Sequence, residues 1–152
     1  MTTPSVRDAT EADLPRIVEL LAQLSVDDAR EDLRTPLAEA YRAAYHEMVR
    51  DPHHRLLVVE ADGRIVGTAV LIVIPNLSHR GRPWAVVENV VVDETERGAG
   101  HGERLMRYAL EEARRAGCYK LSLTSNKERP EAHRFYRRLG FRATHEGFRI
   151  GL

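Results

Sequence analysis

The chain has 152 residues, 43% hydrophobic and 30% charged, with 23 Lys+Arg against 23 Asp+Glu. That length suits a single domain over residues 1–152 with one core, and the balanced charge argues against nucleic acid or an anionic membrane as partner. No apolar run approaches the ~20 residues that cross a bilayer, and the start, MTTPSVRDAT, lacks the basic-then-apolar order of an export signal, so a cytoplasmic protein is expected.

Ser5 to Ala9 reads as a short strand. Leu14, Ile17, Val18, Leu21 and Leu24 then recur at helical spacing, with Asp13 favoured over Thr10 as cap because it leaves Pro15 in the first turn, where no amide hydrogen is needed. Thr35-Pro36 is expected to open a second helix that stops before Asp51-Pro52. The period changes to two over Arg55–Glu60 and Arg64–Ile74, joined by Asp62-Gly63, a hairpin signal.

A loop with Pro75, Asn76, Gly81 and Pro83 leads into a strand from Trp84 to Asp93. A glycine turn and a helix with the face Leu105, Met106, Ala109, Leu110, Ala113 follow, closed at Gly117. Tyr119–Thr124 reads as a strand, Pro130–Leu139 as a helix ended by Gly140, and Phe141–Ile150 as a last strand. The order predicts a mixed α/β fold, a mixed sheet with helices on both faces and its antiparallel half first. Cys118, the only cysteine, is read as a small buried hydrophobe.

The segment VVVDETERGAGHGERLM, residues 90–106, holds the strongest signal. Glycine weakens a regular element, so three of them at a helix mouth imply a sharp turn or a close approach to a ligand. Strand, glycine turn and helix N-terminus together make an anion site, because unpartnered amides and the helix dipole both attract phosphate. The phosphate loop of nucleotide hydrolases would need Gly-Lys-Ser/Thr, but Glu103-Arg104 follows Gly102. The dinucleotide fingerprint G-x-G-x-x-G fails too, since this turn reads G-x-G-x-G.

The turn resembles the coenzyme A loop of the GNAT family of N-acetyltransferases, Gln/Arg-x-x-Gly-x-Gly/Ala, with Arg97, Gly100 and Gly102 at its fixed positions. ENVVVD upstream and EAHRFYRRLGF downstream are also similar to family segments, so the resemblance runs from about Val87 to Phe141. It implies a GNAT-like acyl-CoA N-acyltransferase fold with two splayed central parallel strands, here Trp84–Asp93 and Tyr119–Thr124.

It also implies acetyl-CoA as cosubstrate. The amides of Arg97, Gly98, Ala99, Gly100, His101 and Gly102 would hold its diphosphate. The main chain of Val90, Val91 and Val92 would hold the pantetheine arm and polarise the thioester.

Acetyl transfer to an amine needs a base for the ammonium and an acid for the departing thiolate. Glu88 is the candidate base, with strand alternation placing it on the face of Val90 and neighbouring valines desolvating it. A solvated or salt-bridged Glu88 is the competing role. Tyr136 stands where the family often carries its general-acid tyrosine; a core aromatic of an amphipathic helix is the alternative. Where many family members have Asn three residues before the position of Ala132, this chain has Arg129, leaving Asn126 and Arg129 as candidates for a coenzyme contact.

The acids of Asp27–Leu33 could attract a cationic amine, and His79, Arg80 and Arg82 an anionic group. The seven histidines show no metal spacing, and no metal is expected. The reading is an N-acetyltransferase acting on a small-molecule primary amine by direct attack in a ternary complex, and the resemblance implies a homodimer. The alternatives are an acetyl-CoA-binding or sensing module without transfer, and an enzyme for protein amines.

Overall fold

The computed structural model describes residues 2–24 and 31–152. It divides into two compact units, Met1–Ser122 and Leu123–Leu152, taken in turn.

The first unit carries a five-stranded sheet in the order β1 to β5. β1 (Ser5–Asp8), β2 (His54–Ala61), β3 (Arg64–Ile74) and β4 (Trp84–Val92) pair with one another antiparallel in that order. β5 (Leu121–Ser122) runs parallel to β4. Asp62 (φ 49°) and Gly63 (φ 74°) both take left-handed backbone in the β2–β3 hairpin, as a two-residue turn matched to strand twist requires.

Helix α1 (Leu14–Ala22) starts after a 3₁₀ turn over Glu11–Asp13. The Asp13 carboxylate accepts from the Thr10 amide at 2.8 Å and from Arg7 at 2.7 Å, and Pro15 sits in the first turn. Leu14, Ile17 and Leu20 bury against Val58, Ile65 and Val91. Leu20, fully buried, lay outside the predicted stripe.

Helix α2 (Glu39–Arg50) packs on β2 and begins later than predicted. Ala38 is extended (ψ 137°) and Leu37 packs on the α1 cluster, so the chain from Thr35-Pro36 descends to the core before it turns into the helix.

The other sheet face buries Leu57, Val59, Ala69, Leu71, Ala85 and Val87. It is covered by α3 (His101–Arg115), whose Leu105, Met106, Ala109 and Ala113 point inward. Each large apolar side chain buried there stabilises the fold by about 1.5–3 kcal/mol. Gly117 (φ 79°) closes α3 as expected.

The second unit holds α4 (Pro130–Arg138), ended by Gly140 at φ 99°. The predicted strand Phe141–Ile150 does not form: among the described residues its backbone bonds are local, Phe141 donating to the Tyr136 carbonyl at 3.1 Å and Thr144 to that of Arg142 at 3.0 Å, and Phe148 and Ile150 are exposed. An alternating pattern becomes a strand only where a neighbour completes its ladder, and among the described residues none does.

Candidate active site

β4 is interrupted where the chemistry was expected. Thr68 pairs with Val91 and Val70 with Glu88, so three steps on β4 oppose two on β3. Asn89 absorbs the extra residue at φ 54°, a region Asn enters more readily than most side chains. This bulge corrects the sequence reading in two ways. It moves Glu88 onto the face of Thr68, Val70 and Val91, opposite to Val90, because each inserted residue reverses strand alternation. It also leaves Glu88 and Asn89 exposed, so the expected desolvation by neighbouring valines is absent.

Beyond the bulge the sheet opens. β5 was predicted over Tyr119–Thr124, but its ladder holds only Ala85↔Leu121 and Val86↔Ser122. β4 continues to Val92 with no β5 partner. Half of a strand's backbone groups point to each side, so this edge offers amides and carbonyls to an extended amide-bearing molecule. Val91 buries its side chain in the α1 cluster and has only its main chain to offer.

The turn after β4 is fastened from beneath. Asp93, 5% exposed, accepts from the Thr95 amide and hydroxyl, both at 2.9 Å, and from Arg16 of α1. These donors, the Thr95 amide first and then Arg16, hold its carboxyl at about 2. Gln23 accepts from the Glu94 amide at 3.0 Å, and Arg97 reaches the Val92 carbonyl at 3.4 Å. Sequence reading missed this brace, because Arg16 and Asp93 stand 77 positions apart and leave no local pattern.

Gly98 (φ 87°) and Gly100 (φ 83°) follow, and a Cβ at either would meet nothing within 4 Å among the described residues. Their conformation needs glycine, and the space beside them is open. Gly100 is the N-cap of α3 without a side-chain cap, and the Arg104 amide is the first to find a helical carbonyl, that of Gly100 at 3.0 Å. The amides of His101, Gly102 and Glu103 are therefore the first-turn donors that helix geometry leaves free. Among the described residues the Nδ1 of His101, 6% exposed, finds no partner, and its Nε2 lies 3.7 Å from Glu96. Uncapped amides, a helix dipole and bare glycines suit a diphosphate.

In the second unit Tyr136 is packed between Phe135 and Phe141, with ring centroids 5.2 and 5.9 Å away. Burial pushes its phenol up, with a smaller opposing effect of Arg129. The Asn126 side chain accepts from the Glu128 amide at 2.9 Å, and its carbonyl accepts from the Arg129 amide at 3.1 Å. Asn126 thus shapes the turn into α4, and Arg129 is the residue before its first turn.

Glu31 accepts from the Tyr41 hydroxyl at 2.8 Å, and Asp32 pairs with Arg34 at 2.7 Å. These two acids of the 27–33 cluster are engaged, while Asp27 and Asp28 lie outside the described residues. Cys118 is half-buried and its thiol is pushed up by burial, the state of an unreactive side chain.

A profile of the Acetyltransferase (GNAT) family matches residues 18–141. The chain is 35% identical over 150 residues to the glucosamine 6-phosphate N-acetyltransferase of Trypanosoma brucei brucei, covering 97% of this chain and 95% of that protein. It is 32% identical over 152 residues to the aminoalkylphosphonate N-acetyltransferase of Salmonella typhimurium, covering 97% and 91%. A crystal structure described as a transcriptional regulator from Bacillus halodurans superposes with TM-score 0.94 at 36% identity, over 99% of this chain and 100% of that one.

Proposed function

The chain belongs to the Acetyltransferase (GNAT) family, and from that premise we propose that it transfers the acetyl group of acetyl-CoA to the primary amine of a small molecule by direct attack in a ternary complex. The observation that carries the site assignment is the uncapped mouth of α3, with open glycines, directly after a β4 edge without a β5 partner. Amides of residues 97–102 bind the diphosphate of the cosubstrate, and main-chain groups of Val90, Val91 and Val92 align the pantetheine arm.

Glu88, exposed at the bulge, takes a proton from the incoming ammonium directly or through a water. The raised phenol of Tyr136 stays protonated at neutral pH and supplies the proton that the departing thiolate needs. Asn126 and Arg129 serve the coenzyme side. The two compact units act as one catalytic domain, consistent with a family match that runs through both.

The two relatives described above are named for amines that carry a phosphate or phosphonate, and we assign this chain the same acceptor class. Full-length similarity to small-molecule enzymes favours this over a protein acceptor or a coenzyme sensor. A homodimer completes the reading, supported by Phe148 and Ile150, 91% and 86% exposed on one segment outside the helices and strands; sedimentation equilibrium reads it.

The test is Glu88→Gln with Tyr136→Phe. Each single variant is expected to lower kcat about 10²–10⁴-fold while calorimetry finds coenzyme A binding unchanged. Unaltered turnover in both variants removes these residues from catalysis.

A further inference from the structure

We propose that Lys120 forms an anion subsite for the acceptor, on the same sheet face as Glu88, so that one small molecule is held by its amine at the bulge and by a phosphorus oxyanion at the start of β4. This rests on the reading that Glu88 meets the amine.

The register supplies the argument. Trp84, Val86 and Glu88 precede the bulge, so alternation puts them on one face. Val86 pairs with Ser122, and in a parallel pair partners share a face; Ser122 and, two residues before it, Lys120 therefore join them. The contact agrees: Lys120 Nζ stands 4.6 Å from the Trp84 ring centroid and 5.5 Å from that of Tyr119. Trp84, Val86 and Ser122 are half-exposed, and Lys120 and Glu88 are exposed, so among the described residues of this unit the strip is uncovered.

Four residue steps separate Trp84 from Glu88, about 13 Å of strand. Side chains that lean along the strand can reduce this to roughly 6–9 Å between the charged ends, the span of a small amine bearing a phosphate or phosphonate.

The surroundings favour an anion. No acidic residue occurs from Arg64 to Val87 or from Ala113 to Lys127. Among the described residues Lys120 has aromatic rings for neighbours and no ion-pairing carboxylate. An ammonium is a compact charge suited to a phosphorus oxyanion, and the ring faces restrain it without neutralising it.

The adjoining loop is held in place. His79 (φ 53°) and Arg80 (φ 61°) adopt left-handed backbone, His79 stacks on Tyr119 with centroids 3.7 Å apart, and Arg82 donates to the Gly117 and Cys118 carbonyls at 3.4 Å. Strained backbone of this kind persists where surrounding contacts enforce it.

The experiment compares glucosamine 6-phosphate with glucosamine, and 2-aminoethylphosphonate with ethylamine, as acceptors of the full-length protein and of its Lys120→Ala and Lys120→Arg variants. The parent is expected to prefer the phosphorylated or phosphonylated member of at least one pair. Lys120→Ala should lower kcat/KM for that member about 10–100-fold, mainly through KM. The uncharged partner and the KM for acetyl-CoA should stay within twofold, and Lys120→Arg should retain most of the preference. A preference unchanged in Lys120→Ala, or an equal loss on both members, overturns the subsite while leaving acetyl transfer standing. No transfer to any amine overturns the functional reading itself, and the subsite with it.

Discussion

The two ends of β4 are built differently. At the Val92 end the chain is braced: Asp93 is locked by Arg16 and Thr95, Gln23 holds the Glu94 amide, and α3 starts where Gly100 turns left-handed. At the Trp84 end the side chains on the Glu88 face lie half-exposed or exposed, and Lys120 rests on aromatic faces. The bulge at Asn89 divides these regions. A cosubstrate common to a whole family suits a rigid backbone cradle, because amides and a helix dipole recognise phosphate whatever the side chains are. An acceptor that varies suits a face whose specificity can change one side chain at a time.

The brace is the place to break this contrast most severely. Arg16→Met leaves the Asp93 carboxylate, 5% exposed, without its cationic partner and should destabilise the fold by about 1–3 kcal/mol in urea unfolding. Acid sharpens the same point. A carboxyl at about 2 lies below its ordinary value near ~3.9, so its contribution is full above about pH 4 and drains as the pH falls towards 2. Asp93→Asn should therefore flatten the loss of stability across that window, measured by urea midpoints at a series of pH values. If parent and variant show the same slope there, the brace is not the source.

Asn89 offers a smaller effect. Its φ of 54° suits Asn or Gly, so Asn89→Val should cost about 1–2 kcal/mol and Asn89→Gly much less. If the bulge also sets the position of Glu88, Asn89→Val should lower kcat at unchanged coenzyme affinity. The smallest effect belongs to the exposed end: Glu88→Gln should shift stability by no more than about 0.5 kcal/mol, because its carboxylate faces solvent. A large shift there would mean that Glu88 is structural.

These contrasts also explain what the sequence could and could not reveal. The glycine turn, the Asp62-Gly63 hairpin, β3 and the closing glycines of α3 and α4 follow from backbone preferences that act over a few residues. The position of the bulge escaped the sequence reading, because it depends on pairing with β3, and it reversed the expected face of Glu88. β5 and the segment after Phe141 were overextended for a related reason: apolar alternation describes a willing strand, whereas the partner that completes it is a property of the whole fold. Ion pairs such as Arg16–Asp93 and ring contacts such as Lys120–Trp84 join residues far apart in sequence and left no trace in it.

The most direct measurement is calorimetric titration of coenzyme A, with pantetheine as the ligand lacking the diphosphate, into the parent protein and Gly100→Ala. A Cβ at φ 83° forces the turn to rearrange. The account expects coenzyme A to bind the parent far more tightly than pantetheine does, and Gly100→Ala to lose at least about tenfold of that affinity with pantetheine binding unchanged. Equal affinity of parent and variant for coenzyme A would contradict the assignment of the α3 mouth as the diphosphate site.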